Sequence, residues 1–285
     1  MNQYTLDGVP LKDPTLKWHP NRNTGIRIMP ARRQAEQRFP HVDGVNFIPG
    51  APYDPGAVSI SLNVRGKTYK EFRENMEFIN GLFSQRHKPL ELREHYDTTA
   101  ANDRVAEVTL ATSVDPIMID RQACVMSAVF SVPGTFWRSA ALQTGAVGAI
   151  TNTATAQTVT PLAGGNAPVD DMLFRVRGGT FGSMFIEDPV TGSRLNINTP
   201  LAAGQTLLID VKNWNAIITT ATNDTWAVSG NTNVSGLIVP NVGYGSMFTI
   251  EPTRVGMAMG YSVRVWGTNV VGTPTLEIRA KKSYL

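Results

Sequence analysis

One change of hydrophobic period constrains the fold of this chain more than any other feature. From Ala57 to Gly66 apolar and polar residues alternate, which is typical of a strand with one buried face. From residue 69 onward the apolar residues recur at a helical spacing of about 3.5 positions. This helical stripe consists of Tyr69, Phe72, Met76, Ile79 and Phe83. The sequence therefore predicts a strand that leads directly into a helix.

The ends of that helix are marked in the sequence. Thr68 and Glu71 have the spacing of a capping box, in which each residue binds an amide at the helix start. Lys88-Pro89 marks the end of the helical region, because proline cannot continue a helix. No other segment has a comparable helical pattern. Strands are predicted instead in LELRE, RVAEVTLAT and QACVMSAVFSV.

The first 56 residues predict a hairpin, a strand and a long loop. The runs NQYTL and VPL flank Asp7-Gly8, a dipeptide that suits the positive φ angles of a tight hairpin. The run 25–29, GIRIM, predicts a strand that Pro30 ends. No sustained period follows between Pro30 and Gly56. Loops of this length are usually functional rather than simple connections.

The second half predicts a β-sandwich or a jelly roll, because about nine short strands are separated by Gly, Asn and Pro. Asp188 to Gly192 is predicted to be the turn of a hairpin. The predicted strands are LFRVRG, MFIE, RLNIN, TLLIDV, WNAII, TWAV, MFTIE, YSVRVW and TLEIRA.

Length and charge predict two domains. A chain of 285 residues is long for one core and suits two domains. Residues 1–138 hold 17 Lys and Arg against 15 Asp and Glu, while 139–285 hold nine against eight, so neither half has the basic excess of a nucleic-acid binder. After VPGTFWR, residues 139–169 carry no charge. We predict domains over 1–138 and 152–285, joined by a linker over 139–151.

Sequence signals of catalysis, cofactors and metals are weak. Arg65-Gly66-Lys67-Thr68 lacks the earlier glycine of a phosphate-binding loop, since Ser61 stands at that position. The four histidines have no metal-ligand spacing, and no nucleophile elbow is present. Cys124 lies in an apolar run and is predicted to be inert core. We therefore predict no enzyme activity, no catalytic residue, no cofactor and no metal.

The N-terminus shows no secretory signal pattern, and the uncharged runs hold too much Thr, Asn, Gln and Gly for a membrane span. Synthesis in a cytoplasm and no membrane insertion are expected.

The first half resembles the distal tail proteins of bacteriophages with long, non-contractile tails. The resemblance lies in GIRIMPARR (25–33), in YDPGAVSISLNVRG (53–66) with the helix that follows it, and in AVFSVPGTFWR (128–138). It implies an N-terminal β-sandwich with one helix and a hairpin, which assembles into a hexameric ring at the end of the tail tube. DNA would pass through the lumen of this ring. Phe136 and Trp137 would anchor the last strand at the domain junction.

The second half resembles the galectin-like sandwich that follows in this family. The matching segments are GNAPVDDMLFRVRG, DPVTGSRLNI and LAAGQTLLIDV. Sugar-binding galectins use a histidine-asparagine-arginine cluster, and this half has no histidine. The fold is therefore expected here without that binding chemistry.

The resemblance implies a virion protein, made in the cytoplasm of a bacterial host, that joins the tail tube to the tail tip or baseplate. Its partners would be further copies of itself, the tail-tube protein, the tail hub or tip protein and DNA in transit. Arginine suits interfaces because its guanidinium binds carboxylates in a bidentate manner. The candidate residues of the contact between copies are Arg27, Arg32, Arg33, Asp43 and Tyr53.

Two other functions fit the same sequence. The C-terminal sandwich could belong to a carbohydrate-binding adhesin that recognises a host-surface glycan, with Trp226, Tyr244 and Trp266 as candidate contacts. The chain could also be a tail-tube subunit, which shares a related plan of sandwich and helix but stacks into long polymers.

Overall fold

The computed structural model shows a mainly β protein, as the sequence predicts, that divides into two compact units. We call residues 3–31 and 53–141, with Leu285, unit 1, and residues 142–284 unit 2. The structure describes residues 3–22, 24–28, 30–31, 53–85, 87–96, 99–220, 222–229, 232–241 and 248–285.

Unit 1 contains ten described strands and one α-helix. The helix is α1 (Tyr69–Phe83), and a 3₁₀ turn lies at Ala100–Asn102. The strands are β1 (Gln3–Leu6), β2 (Val9–Pro10), β3 (Trp18–Pro20), β4 (Ile26–Ile28), β5 (Gly56–Arg65), β6 (Leu90–His95), β7 (Arg104–Leu110), β8 (Asp115–Asp120), β9 (Ala123–Val132) and β10 (Trp137–Ser139).

One antiparallel sheet organises unit 1, in the order β2-β1-β6-β7-β9-β5-β3. β5 pairs with β9 along its whole length, from Gly56 opposite Val132 to Arg65 opposite Ala123. The other edge of β9 pairs first with β8 and then with β7. Strands β8 and β3 therefore lie at opposite sides of the four-stranded region β8-β9-β5-β3.

The opening hairpin forms as predicted. Asp7 and Gly8 have φ angles of 49° and 81°, and Leu6 pairs with Val9 across the turn. Positive φ at both central positions matches the twist of the flanking strands, and glycine adopts it without steric cost.

Helix α1 begins where the sequence predicts. The Thr68 side chain accepts a hydrogen bond from the Glu71 amide (3.2 Å), and the Glu71 carboxylate accepts one from the Lys67 amide (2.8 Å). The predicted stripe is wrong at two positions, because Tyr69 is 60% exposed and Met76 is only half-buried. Asn75 is buried instead, since its amide donates to the Arg65 carbonyl (2.7 Å).

The core of unit 1 lies between α1 and the inner face of β5 and β9. Phe83 of the helix meets Phe130 of β9 edge to face, with ring centroids 5.3 Å apart. Cys124 is buried in the same face of β9, where desolvation raises the pKa of its thiol to about 11. The predicted core position of this cysteine is confirmed, and its inertness stays a prediction.

Unit 2 contains fourteen described strands and 3₁₀ turns at Thr160–Leu162 and Ser235–Leu237. The strands are β11 (Gln143–Ala149), β12 (Thr155–Thr158), β13 (Met172–Thr180), β14 (Ser183–Glu187), β15 (Arg194–Ile197), β16 (Thr206–Asp210), β17 (Asn215–Thr219), β18 (Thr232–Asn233), β19 (Ile238–Asn241), β20 (Thr253–Val255), β21 (Ala258–Gly260), β22 (Ser262–Thr268), β23 (Val271–Ala280) and β24 (Ser283–Tyr284).

Two sheets enclose the core of unit 2, which makes it a sandwich. One sheet has the order β11-β23-β13-β16-β17-β18, and the other has the order β12-β22-β14-β15-β19. Phe174 and Leu276 from the first sheet share one buried cluster with Met184 and Val265 from the second.

The linker prediction is wrong for residues 143–149. These residues form β11, an edge strand that pairs with β23 from Gln143 opposite Ala280 to Ala149 opposite Thr275. The lack of a Cβ at Gly145 and Gly148 allows close packing, since a Cβ at Gly145 would lie 2.5 Å from the Pro161 ring. Most residues of β11 are stabilised by pairing with β23 and not by burial of apolar side chains.

Two predicted strands of the second half are also wrong. The TWAV segment forms no strand, because Trp226 has a φ of 60°, which is outside the extended region. In the described part of MFTIE, Ile250 makes only an isolated bridge to Val169. The predicted turn at Asp188 is confirmed, since its carboxylate accepts hydrogen bonds from the amides of Val190 and Thr191.

Candidate functional site

The residues predicted to form a contact between copies are only partly within the described structure. Arg32, Arg33 and Asp43, together with the glycan candidate Tyr244, lie outside the described residues. Arg27 and Tyr53 are described, and both contact other side chains of unit 1.

Arg27 belongs to a network inside unit 1. Its guanidinium pairs with the Glu94 carboxylate and lies 4.4 Å from the centre of the Trp137 ring. The Tyr4 hydroxyl donates to the same carboxylate (2.9 Å). Burial and the nearby Arg104 charge lower the pKa of Arg27 to about 10. Arg27 therefore joins β4 to β1, β6 and β10 within unit 1, and its contact with another copy stays a prediction.

The aromatic pair at the end of the first half packs within unit 1. Trp137 is buried beneath Arg27, and Phe136 meets Tyr53 edge to face at 5.4 Å between ring centroids. Strand β10, which begins at Trp137, pairs with β7 through Arg138 opposite Val105. The role of Phe136 and Trp137 as anchors of the domain junction stays a prediction, as does a seam contact through Tyr53.

Trp226 is not available for a glycan contact. Its side chain is only 6% exposed and packs with Leu208 and Ile217, while the Arg175 guanidinium lies 4.3 Å from the ring centre. Arg175 is itself held by the Glu277 carboxylate (2.8 Å). The glycan prediction is wrong here, because a tryptophan that packs beneath an ion-paired arginine cannot also stack on a sugar.

Trp266 occupies a different position, on the outward face of the five-stranded sheet. It stacks on Phe185 with ring centroids 5.0 Å apart, and the Arg194 guanidinium lies 5.4 and 5.8 Å from the two ring centres. On β15, the buried Arg194 Nε and Asn196 Oδ1 have no hydrogen-bond partner among the described residues. Aromatic rings beside polar groups can orient a ligand, so this surface remains the candidate for a glycan.

Neither a candidate metal site nor a membrane-spanning helix is found among the described residues. Among the described residues, His, Cys, Asp and Glu form no group of three or more that could hold a metal ion. In the same part of the chain, no helix is long and apolar enough to cross a membrane.

The most unusual exposed surface of unit 1 was not predicted from the sequence. All six residues of β8 are exposed, with Ile117 and Ile119 each 62% exposed and Met118 53% exposed. Their sequence gives no strand signal, because apolar residues stand side by side without alternation. Open sheet edges are usually short, charged or covered, and an exposed apolar edge of this kind is typical of interaction surfaces.

Comparison with known proteins gives a fold but no sequence relationship. No protein-family model matches this chain, and no curated protein matches it. Among solved structures, the chain is similar to the Dit protein (gp 19.1) of phage SPP1, with a TM-score of 0.58 and 12% identity over 99% of each chain. A chain of the phage P2 baseplate in its activated conformation with Ca has a TM-score of 0.37 and 9% identity, over 99% of this chain and 98% of that one.

The similarity to the SPP1 Dit protein covers both units. At 12% identity it shows a common fold, and the predicted resemblance to distal tail proteins is confirmed at that level. The galectin-like character of unit 2 stays a prediction. This chain is therefore similar in fold to the SPP1 Dit protein over 99% of each chain.

Proposed function

We propose that this chain is a structural protein of a phage virion, which forms a ring at the distal end of the tail. The ring would be hexameric, would join the tail tube to the tail tip or baseplate, and would leave a lumen for DNA. Such a protein acts through folded surfaces and makes or breaks no covalent bond.

One observation carries this proposal, namely the fold shared with the SPP1 Dit protein over 99% of both chains. That protein is described as a paradigm of the hub adsorption apparatus in phages that infect Gram-positive bacteria. Full-length similarity matters because the match is not confined to one of the two units of this chain. The exposed apolar strand β8 gives independent support, since assembled proteins cover such edges.

Imaging of the virion tests this proposal directly. An antibody against the chain, used in electron microscopy of intact phage particles, should label the tail tip. Labelling along the tail would support the tail-tube alternative, because tube subunits form long polymers. Particles without label at any part of the tail would contradict the proposal.

The outward face around Trp266 favours a second candidate function, recognition of a host-surface glycan by unit 2. A glycan array probed with the full-length chain should then show binding that Trp266→Ala abolishes. Met257→Ala is a suitable control, because Met257 is 99% exposed. An array without specific binding would remove this candidate and leave the tail-ring proposal unaffected.

A further inference from the structure

Strand β8 has the composition of a docking element. It carries exposed apolar side chains at Pro116 and at 117–119, and an aspartate at each end, Asp115 and Asp120. Arg121 follows in the turn to β9. Among the described strands only β9 pairs with β8, so its other edge is open. Pro116 cannot donate a backbone hydrogen bond, so side-chain contacts suit this edge better than a continuous ladder.

A groove with complementary properties lies at the opposite side of the same sheet. It has a volume of about 420 Å³ and contains Leu16, which is 41% exposed. Three basic residues line it, against one acidic residue, Glu71. The basic residues are Lys17, Arg65 and Lys67.

An apolar surface continues from this groove along β3 and α1. The rings of Trp18 and Phe78 stack with centroids 5.1 Å apart, and Phe78 remains 46% exposed. β8 thus combines apolar side chains with a net negative charge, while the groove and its surroundings combine apolar side chains with a net positive charge. Opposite potentials of this kind favour association and fix its register.

The two surfaces lie at the same level along the strand direction but at opposite edges of the region β8-β9-β5-β3. Asp120 of β8 pairs with Ala123, Ala123 pairs with Arg65, and the Arg65 amide donates to the Lys17 carbonyl. Three strand spacings, about 14 Å, separate β8 from β3. Strands β9 and β5 separate the apolar residues of β8 from Leu16 and Trp18 of the same chain, so a contact between these apolar residues joins two copies.

We propose that β8 of one copy docks into the groove of the next copy. This inference rests on the proposed ring function and deepens it by assigning both sides of the contact. Ile117 and Ile119 would contact Leu16 and the Trp18–Phe78 pair, while the aspartates of β8 would face the basic residues of the groove. Two different surfaces meet at each such contact, which is the arrangement that closes a ring of identical subunits.

Charge reversal on each surface separately tests the contact. One variant carries Asp115→Lys and Asp120→Lys, and the other carries Lys17→Glu and Lys67→Glu. Each alone places like charges across the contact and should raise the concentration needed for assembly at least about tenfold. All four side chains lie on the surface or its margin, so circular dichroism should show an unchanged fold. Lys281→Glu, in unit 2, is the control for a charge change and should assemble like the wild type.

A mixture of the two variants gives the decisive result. In the mixture each reversed β8 meets a reversed groove on the other variant, so an alternating ring should form at concentrations at which neither variant assembles alone. Sedimentation velocity measures the masses of the single variants and the mixture. Assembly of each variant alone at wild-type concentrations would overturn this contact and leave the proposed function intact. Failure of the mixture to assemble would overturn the pairing of these two surfaces. A wild-type chain that never assembles would overturn the proposed function and this contact with it.

Discussion

The edge strands of units 1 and 2 differ in composition and exposure. In unit 2, the edge strand β12 has the sequence TAQT, and the edge strand β19 contains Pro240, so both edges resist pairing with another chain. In the described part of unit 1, β8 exposes an apolar run and pairs with a strand along one edge only. The difference indicates that the five-stranded sheet of unit 2 has edges that disfavour pairing, whereas β8 of unit 1 has a surface suited to assembly.

The charged groups of the two units also differ in their arrangement. In unit 2, Arg175 and Arg177 share the Glu277 carboxylate on one face of a sheet. In unit 1, Arg27 and Glu94 connect strands that are distant in sequence. The basic residues of the groove line an open surface. Four predictions test whether the stability and the role of one unit are independent of those of the other.

Loss of a core aromatic ring should have the largest effect. Phe130→Ala in unit 1 and Phe174→Ala in unit 2 should each lower the free energy of unfolding of their own unit by about 3–5 kcal/mol, because each leaves a cavity in a packed core. Hydrogen exchange with mass spectrometry locates the loss of protection. Equal loss of protection in both units from either variant would contradict their separation.

Removal of Arg27 should have the next largest effect. Arg27→Ala removes a cation from the buried Glu94 carboxylate and should destabilise unit 1 by about 3 kcal/mol. Arg27→Lys should recover part of that loss, since it restores a charge but not the stacking on Trp137. Denaturant unfolding of the monomeric protein measures both. An unchanged unfolding midpoint in Arg27→Ala would show that this residue has no internal structural role.

The cap of α1 should contribute less. Thr68→Ala removes the acceptor of the Glu71 amide and should lower the stability of unit 1 by about 1 kcal/mol. Thr68→Ser keeps a hydroxyl and serves as the matched control. Thermal unfolding followed by circular dichroism compares the two. Equal melting temperatures for these variants would contradict the capping role.

The smallest effect should come from the titration of His19. Burial and the positive charges of Arg65 and Lys12 lower the pKa of His19 in the folded state. The unfolded chain therefore binds more protons, and the stability of unit 1 should fall as the pH drops below about 6.5. His19→Gln should remove this part of the pH dependence, which denaturant titrations at pH 7 and 5 would detect. Unit 2 contains no histidine, so its stability should show no pH dependence from histidine titration.

The sequence predicts structure best where the signal is local. The hairpin at Asp7-Gly8, the strand over 57–65 and the cap at Thr68 each depend on a few neighbouring residues, and each is present in the structure. The strand β11 has no such local signal, because its small residues are held by β23 from the far end of the chain. Long-range pairing of this kind cannot be deduced from periodicity.

The candidate site was less predictable, for three physical reasons. A strand exposed on both faces, such as β8, has no alternation of apolar and polar residues to reveal it. The partners of Arg27 are Glu94 and Trp137, which are distant from it in sequence. Trp226 is buried because a turn with positive φ directs it into contact with Arg175, and composition alone could not distinguish it from Trp266.

The mass of the purified full-length chain in solution tests the central claim most directly. Sedimentation velocity should be measured over a range of concentrations, with the chain alone and with the tail-tube protein added. We expect a discrete closed species of several copies, visible as a ring in electron micrographs and lost when β8 is charge-reversed. A single species at the monomer mass of 31.0 kDa under both conditions would contradict the claim that this protein works by assembly.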